Sequence, residues 1–245
     1  MTHGRAAAAI LIALIGVCVA TVTGEGQRRP SGASPDERRQ AMVSTQITAR
    51  GITNPLVINA MREVPRHLFV PEAQRAHAYE DRPLPVGEQQ TISQPYIVGL
   101  MTELARVEPS HKVLEVGTGS GYQAAILAQM GARVYTIEII PALAHRARTT
   151  LDSVGYRNIE YRVGDGYRGW PEAAPFDAIL VTAAPDHVPQ PLVDQLVVGG
   201  RLVLPIGGSL QTLMVITRTG EGTRSERTIP VLFVPMKGEA ERGRR

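Results

Sequence analysis

An α/β fold is predicted by three observations. Strand and helix patterns alternate from Lys112 to Pro205. Three glycines at alternate positions, Gly117, Gly119 and Gly121, join the first strand of that series to its first helix. Two closing strand patterns then follow with no helix between them. Repeated strand–helix units imply a parallel sheet covered on both faces, and a closing pair joined by a loop implies an antiparallel edge. The expected architecture is a Rossmann-like, doubly wound, mostly parallel seven-stranded sheet with an antiparallel edge and an N-terminal helical extension. A chain of 245 residues, 43% hydrophobic and 20% charged, is long enough for one such core.

The chain begins with an uncharged run, residues 6–22, preceded by His3 and Arg5. It is marginal in length for a membrane span and long for the apolar core of a signal peptide. Arg28, Arg29, Arg38 and Arg39 follow it and favour keeping the downstream chain in the cytoplasm. Export, anchoring at the inner face and a later start at Met42 stand as three readings. Residues 1–33 are thus assigned to this segment and its linker, 34–237 to the folded domain (34–110 helical, 111–237 the sheet core) and 238–245 to a charged tail.

Ser34-Pro-Asp-Glu37 has the form of a reciprocal helix cap, with a helix expected to about Arg50 and an end at Gly51. Asn54-Pro55 opens a second short helix. Residues 64–71 read as irregular, and Pro83, Pro85 and Gly87 keep the next stretch in a loop. Ile97, Leu100, Met101, Leu104 and Ala105 share one helix face. Ser93 is placed to cap that helix, with Pro95 in its first turn. The same geometry offers an anion the free N–H groups of a helix start and the hydroxyls of Thr91 and Ser93.

Strands are expected at 112–116, 133–138, 158–163, 176–182, 200–205, 213–217 and 231–234, with helices at 120–130, from Pro141 to Gly155 and at 191–197. The turn Gly117-Thr-Gly-Ser-Gly121 is neither the dinucleotide fingerprint, since Tyr122 follows, nor a P-loop, since no Gly-Lys-Ser/Thr follows. With Glu115 two places before the first glycine, it points to S-adenosylmethionine. Glu138 lies 138 − 117 = 21 residues after Gly117, where an acid would hold a ribose hydroxyl pair. Asp165 follows the third strand, so three acids lie at the carboxyl ends of three consecutive parallel strands.

Composition excludes several classes. One cysteine, Cys18, allows neither an internal disulfide nor a cysteine metal cluster. The six histidines show no ligand spacing, so no metal is expected. A net charge of +3, without a basic stripe interleaved with aromatics, argues against nucleic acid. A monomer is expected, with membrane contact only through residues 6–22.

Several segments together carry a resemblance: Val64-Pro-Arg-His-Leu-Phe-Val-Pro71, Gln90-Thr-Ile-Ser-Gln-Pro-Tyr96, Leu114-Glu-Val-Gly-Thr-Gly-Ser-Gly-Tyr122, Gly164-Asp-Gly166, Pro175-Phe-Asp177, Thr182-Ala-Ala-Pro185, Gly199-Gly-Arg201 and Phe233-Val-Pro-Met236. The sequence resembles the protein-L-isoaspartate O-methyltransferases over roughly residues 41–237. Gln89 departs from the family, in which many members have Gly. The resemblance implies methyl transfer from S-adenosylmethionine to the free α-carboxylate of L-isoaspartyl residues in damaged protein, followed by collapse to a succinimide. It implies Ser93 as the active-site serine, with Thr91, Ile92 and Ser93 on the substrate. It also implies Gly117, Thr118, Gly119 and Gly121 under the methionine part, Glu138 on the ribose, and Asp165 and Gly166 beside the adenine. Glu115 would orient the turn or the methionine amino group. Two rival readings are a methyltransferase of a small molecule or RNA, which shares the turn and the three acids, and a non-catalytic module that binds S-adenosylmethionine or protein. Because the methyl donor is made in the cytoplasm, the catalytic domain is expected there.

Overall fold

The computed structural model describes Met1 and residues 32–244, with side chains as far as residue 241. The expectations for residues 6–22 and the linker to residue 31 lie outside the described residues. The reciprocal cap forms as expected: the Glu37 N–H donates to Ser34 Oγ at 3.2 Å and the Ser34 N–H to the Glu37 carboxylate at 2.7 Å, ahead of α1 (Pro35–Met42). The helical run then widens into a π turn at Val43–Ile47 and tightens into a 3-10 turn at Thr48–Arg50, ending at left-handed Gly51. Asn54 Oδ1 accepts the Leu56 N–H at 2.9 Å and starts α2 (Pro55–Glu63).

The expected loop around residues 83–87 is instead a hairpin. β1 (Leu84–Gly87) pairs antiparallel with β2 (Gln90–Ile92), with Leu84 opposite Ile92. Prolines mask short strands in sequence, yet a two-stranded edge tolerates Pro85 because no central ladder bond is lost. Glu88 and Gln89 form the turn at φ 53° and 57°. A two-residue hairpin turn calls for this left-handed backbone, which costs a non-glycine residue roughly 1 kcal/mol.

α3 (Pro95–Ala105) leads into the sheet core: β3 (Lys112–Val116), α4 (Tyr122–Gln129), β4 (Arg133–Glu138), α5 (Pro141–Val154), β5 (Ile159–Val163), β6 (Phe176–Val181), α6 (Gln190–Asp194), β7 (Leu196–Ile206), β8 (Gln211–Thr219) and β9 (Gly222–Val231). The strand order is β5-β4-β3-β6-β7-β8-β9. The first five of these are mutually parallel, and β8 and β9 each run antiparallel to their predecessor. Alternation along the parallel strands fills two cores. Val113, Ala178, Leu180 and Val203 face one side, where α2, α3 and α4 contribute. Leu114, Val116, Ile179, Val181 and Leu202 face the other, with Leu192 and Val193 of α6. Burial on both faces explains why these strands are continuously apolar.

Three boundaries differ from expectation. The helix near 191–197 stops at Asp194, and β7 starts already at Leu196. The last strand is Gly222–Val231, not 231–234. Its residues 223–228 are exposed and polar, so no apolar run marks it, and its charges blunt a free sheet edge. Residues 233–236 instead return to the end of β6, where the Ala184 N–H donates to the Val234 carbonyl at 2.8 Å and the Met236 N–H to the Ala184 carbonyl at 2.9 Å. The stretch expected as a charged tail forms a 3-10 turn, Gly238–Arg244, with Ala240 buried. Among the described residues no helix is long and apolar enough to cross a membrane.

Candidate functional site

Strand order reverses at β3, so the loops leaving β3 and β6 part from each other and leave a crevice at the strands' carboxyl ends. The β3 loop is the glycine turn. The Gly117 and Thr118 N–H groups both donate to the Ile137 carbonyl, at 2.8 and 3.2 Å, tying the turn to the end of β4. Gly117 has φ 97°, and a Cβ there would stand 2.5 Å from Thr182 Oγ1, which itself donates to the Gly117 carbonyl at 2.6 Å. Gly119 differs: at φ 54°, a Cβ on it would meet nothing nearer than 3.8 Å. It faces open space.

Glu138 ends β4 and lines that space. Its Oε2 accepts the Gly119 N–H at 2.8 Å and its Oε1 the Ile140 N–H at 2.9 Å. A carboxylate has about four lone-pair directions, so two remain for a ligand. The cleft holds about 590 Å³, including its open mouth, and is closed by Thr91 of the hairpin, Thr182, Gly166 and residues 234–237.

Two further cavities adjoin it. One is lined by Ser93, Ile92, Glu115, Thr118 and Tyr122, the other by Ser93, Gln94, Ile97, Leu232 and Phe233. Thr91 and Thr182 border all three spaces. Glu115 is completely buried. Thr136 Oγ1 donates to its Oε2 at 2.6 Å and lies 2.5 Å from Thr118 Oγ1, while Oε1 has no partner among the described residues. Burial pushes the Glu115 carboxyl up to about 8; the Thr136 bond and the nearby Ala124 N–H oppose this, and the charge of Glu138 adds to it.

Ser93 does not cap α3. The N-cap is Gln94, whose side chain makes no capping bond. Pro95 takes the first helical position, so the cap falls one residue later than Ser93. The Ser93 hydroxyl carries no hydrogen bond among the described residues, and its carbonyl accepts Arg66 Nη2 at 2.7 Å.

The structure therefore gathers Thr91, Ile92, Ser93, Glu115, Gly117, Thr118, Gly119, Glu138 and Gly166 around connected space. Gly121 and Asp165 are not among the lining residues. Gly121 is the N-cap of α4, where a Cβ would press on Leu151 at 3.0 Å, so it serves close helix packing. Asp165 Oδ1 accepts the Tyr167 N–H at 2.9 Å and its Oδ2 the Glu239 N–H at 2.7 Å, beside the lining residues Gly166 and Lys237. Thr182 opens the segment Thr182–Pro185 that carries part of the resemblance, but the sequence assigns it no role in the site. The available signal was its position directly after a buried strand beside the switch point.

A Rossmann-like sheet with a glycine turn after its central strand, and an acid at the end of the neighbouring strand, defines the fold and cleft of a class of S-adenosylmethionine-dependent methyltransferases. Within that class the chain belongs to the protein-L-isoaspartate(D-aspartate) O-methyltransferase family, whose family model matches residues 37–241. A protein-L-isoaspartate O-methyltransferase of Gloeobacter violaceus is 58% identical over 200 residues, covering 81% of this chain and 98% of that one. Protein-L-isoaspartate O-methyltransferase 2 of Shewanella sediminis is 57% identical over 204 residues, covering 82% and 84%. A solved protein-L-isoaspartate O-methyltransferase superposes with a TM-score of 0.78 at 28% identity, over 84% of this chain and 69% of that one. A Plasmodium falciparum member of the family, solved in complex with S-adenosyl-L-homocysteine, gives 0.71 at 26% identity, over 81% and 98%.

Proposed function

We propose that the glycine turn and Glu138 hold S-adenosylmethionine and that Thr91–Ser93 present the substrate carboxylate to it. The enzyme methylates the free α-carboxylate of L-isoaspartyl residues in damaged proteins, and the ester then closes to a succinimide whose hydrolysis returns some normal aspartate. The residues present suit the cofactor. Gly119 leaves backbone-lined space that a side chain would fill, Glu138 keeps acceptor capacity for ribose hydroxyls, and Glu115 offers an unpartnered buried acceptor toward a cationic amino group. When bound, S-adenosylmethionine supplies an electrophilic methyl group on a positive sulfonium. Gly166 would stand on the adenine side. Asp165 would stand beside it, keeping acceptor capacity on the carboxylate that also holds the Glu239 N–H.

The observation that carries the substrate side is the Ser93 hydroxyl. It is free of the helix cap and borders the same cavity as Glu115 and the turn. A carboxyl with a pKa near 4 is already ionised at neutral pH, so the nucleophile needs no general base. What the chain must supply is orientation and exclusion of water. Ser93 orients the carboxylate by donating a hydrogen bond and forms no covalent intermediate.

Incubation with labelled S-adenosylmethionine and matched aspartyl and isoaspartyl peptides tests this directly. Label is expected on the isoaspartyl peptide alone. Label on neither would favour a small-molecule methyltransferase, and cofactor binding without turnover on any isoaspartyl peptide a non-catalytic module. Ser93→Ala is expected to lower kcat/KM for the isoaspartyl peptide by about 10- to 100-fold, the worth of one hydrogen bond to a charged group, with S-adenosylmethionine affinity unmoved. An unchanged kcat/KM would sink the orienting role.

We infer further that the catalytic domain works in the cytoplasm, because its methyl donor is made there. A reporter fused after Arg245 is expected to be active on the cytoplasmic side; activity confined to the far side of the membrane would overturn this.

A further inference from the structure

Arg66 stands in Val64–Pro71, a stretch that neither the cofactor nor the substrate roles above use. It opens a 3-10 turn, Arg66–Phe69, and is completely buried. Its Nε donates to the Ala78 carbonyl at 2.7 Å, and its Nη2 donates to the Ser93 carbonyl at 2.7 Å. Nη1 and the hydroxyl of Tyr122 are buried without a well-formed hydrogen bond, and the two side chains face each other: Tyr122 interacts with the guanidinium, whose carbon lies 4.9 Å from its ring centroid. No carboxylate lies within 4 Å of the Arg66 guanidinium among the described residues, and Asp81 attracts it only from farther away. Burial lowers the guanidinium to about 10, which leaves it charged at neutral pH.

A buried cation without a carboxylate partner is costly, and an apolar side chain of similar volume would pack the site at less cost. What the charge adds is potential. The cavity bordered by Ser93 is lined by Glu115, and the adjoining cleft by Glu138. Bringing the substrate's carboxylate to Ser93 places an anion beside the cleft lined by Glu138, where like charges repel, while Glu115, held at about 8, is largely uncharged at neutral pH. Arg66 sits directly behind Ser93, bonded to its carbonyl, and also touches Tyr122, which lines the same cavity.

We propose that Arg66 is a positioning residue for the substrate carboxylate: its planar fork fixes Ser93 through the backbone, and its charge makes the Ser93 side of the cavity favourable to an anion. It acts through the strand and does not touch the substrate. This inference rests on the reading of Ser93 given above.

The test compares an isoaspartyl peptide with its neutral carboxamide counterpart, both titrated into the full chain saturated with S-adenosylhomocysteine, so that no sulfonium charge contributes. Wild type is expected to prefer the carboxylate by about tenfold or more, as a desolvated charge pair would. Arg66→Met is expected to bring that ratio close to one while leaving S-adenosylhomocysteine affinity unchanged. Arg66→Lys keeps the charge but cannot hold both carbonyls, and is expected to retain most of the preference with a lower Tm. A purely structural arginine would weaken both peptides equally and leave the ratio intact in Arg66→Met; that result overturns the proposal. If Arg66→Met does not fold, Arg66→Gln, which keeps N–H donors and removes the charge, is measured in its place: a ratio near one supports the role of charge, and a preserved ratio overturns it. Failure of the functional reading itself shows separately, as absence of isoaspartyl methylation by wild type.

Discussion

Glu138→Ala is expected to weaken S-adenosylmethionine binding by about 100-fold or more, since two charge-assisted hydrogen bonds at roughly 1.5–3 kcal/mol each are lost. The carboxylate has two tasks. It accepts the Gly119 and Ile140 N–H groups and so fixes the turn, and it is the proposed acceptor for the ribose hydroxyls. Removing it orphans one N–H at the centre of the glycine turn and another at the start of α5. Each orphaned donor costs on the order of 1–3 kcal/mol where water cannot reach it, so Tm should fall as well. Glu138→Gln separates the tasks: an amide keeps one acceptor oxygen but turns a donor toward the second N–H. Calorimetric titration with S-adenosylmethionine checks the expectation. A Kd within about threefold of wild type in Glu138→Ala would remove the ribose role, because less than 1 kcal/mol would then be at stake.

Glu115→Gln is expected to move stability and cofactor affinity in opposite directions. The folded chain holds the Glu115 carboxyl at about 8 against an ordinary value of 4.5. Between those values the folded protein binds a proton that the unfolded chain has released. Ionisation therefore works against folding: the penalty is absent below about pH 4.5, grows as pH rises, and is complete above about pH 8. Glutamine imitates the protonated form and escapes it. The variant should gain stability over wild type with rising pH, by on the order of 4 kcal/mol at pH 8 and about 1 kcal/mol at pH 5. Tm measured at those two values reads the difference, and a Tm gap that does not grow with pH would count against a raised carboxyl.

Cofactor binding runs the other way. A ligand carrying positive charge prefers the ionised carboxylate, so wild-type affinity should rise with pH up to about 8 and binding should release a proton. Glu115→Gln should lose this slope and bind more weakly at pH 8. Calorimetry in buffers of different ionisation enthalpy measures the proton. A wild-type Kd that stays flat from about pH 6.5 to 8.5 would end this account of Glu115.

The contrast between Ser93 and Asp165 shows how far spacing reaches. Both sit next to a turn of helix, and the resemblance assigns both to the site. The chain's packing frees the Ser93 hydroxyl by moving the cap to Gln94, and engages the Asp165 carboxylate with the Tyr167 and Glu239 N–H groups. The cap shift at Ser93 and the Asp165–Tyr167 bond are local, set by Pro95 and by the turn itself; the Asp165 contact with Glu239 joins segments far apart and is not visible in the neighbouring residues. β1 and β9 were illegible for different reasons. Two prolines disguised the first, and the polar, exposed face of the second left no apolar signal.

By itself the sequence determined the parallel core, the cofactor turn and the acid that follows it. These depend on local physics: short apolar runs that suit buried strands, and glycines at 117 and 119, which adopt left-handed backbone without the steric cost of a Cβ. Tertiary structure alone decided that Thr91 and Thr182 border the same three spaces and that Arg66 lies behind Ser93. It also decided that Glu115 is buried with an acceptor to spare. Those are contacts between segments far apart in the chain. Their energies come from desolvation and from charge, which depend on what surrounds a residue in space and not on what precedes it in sequence.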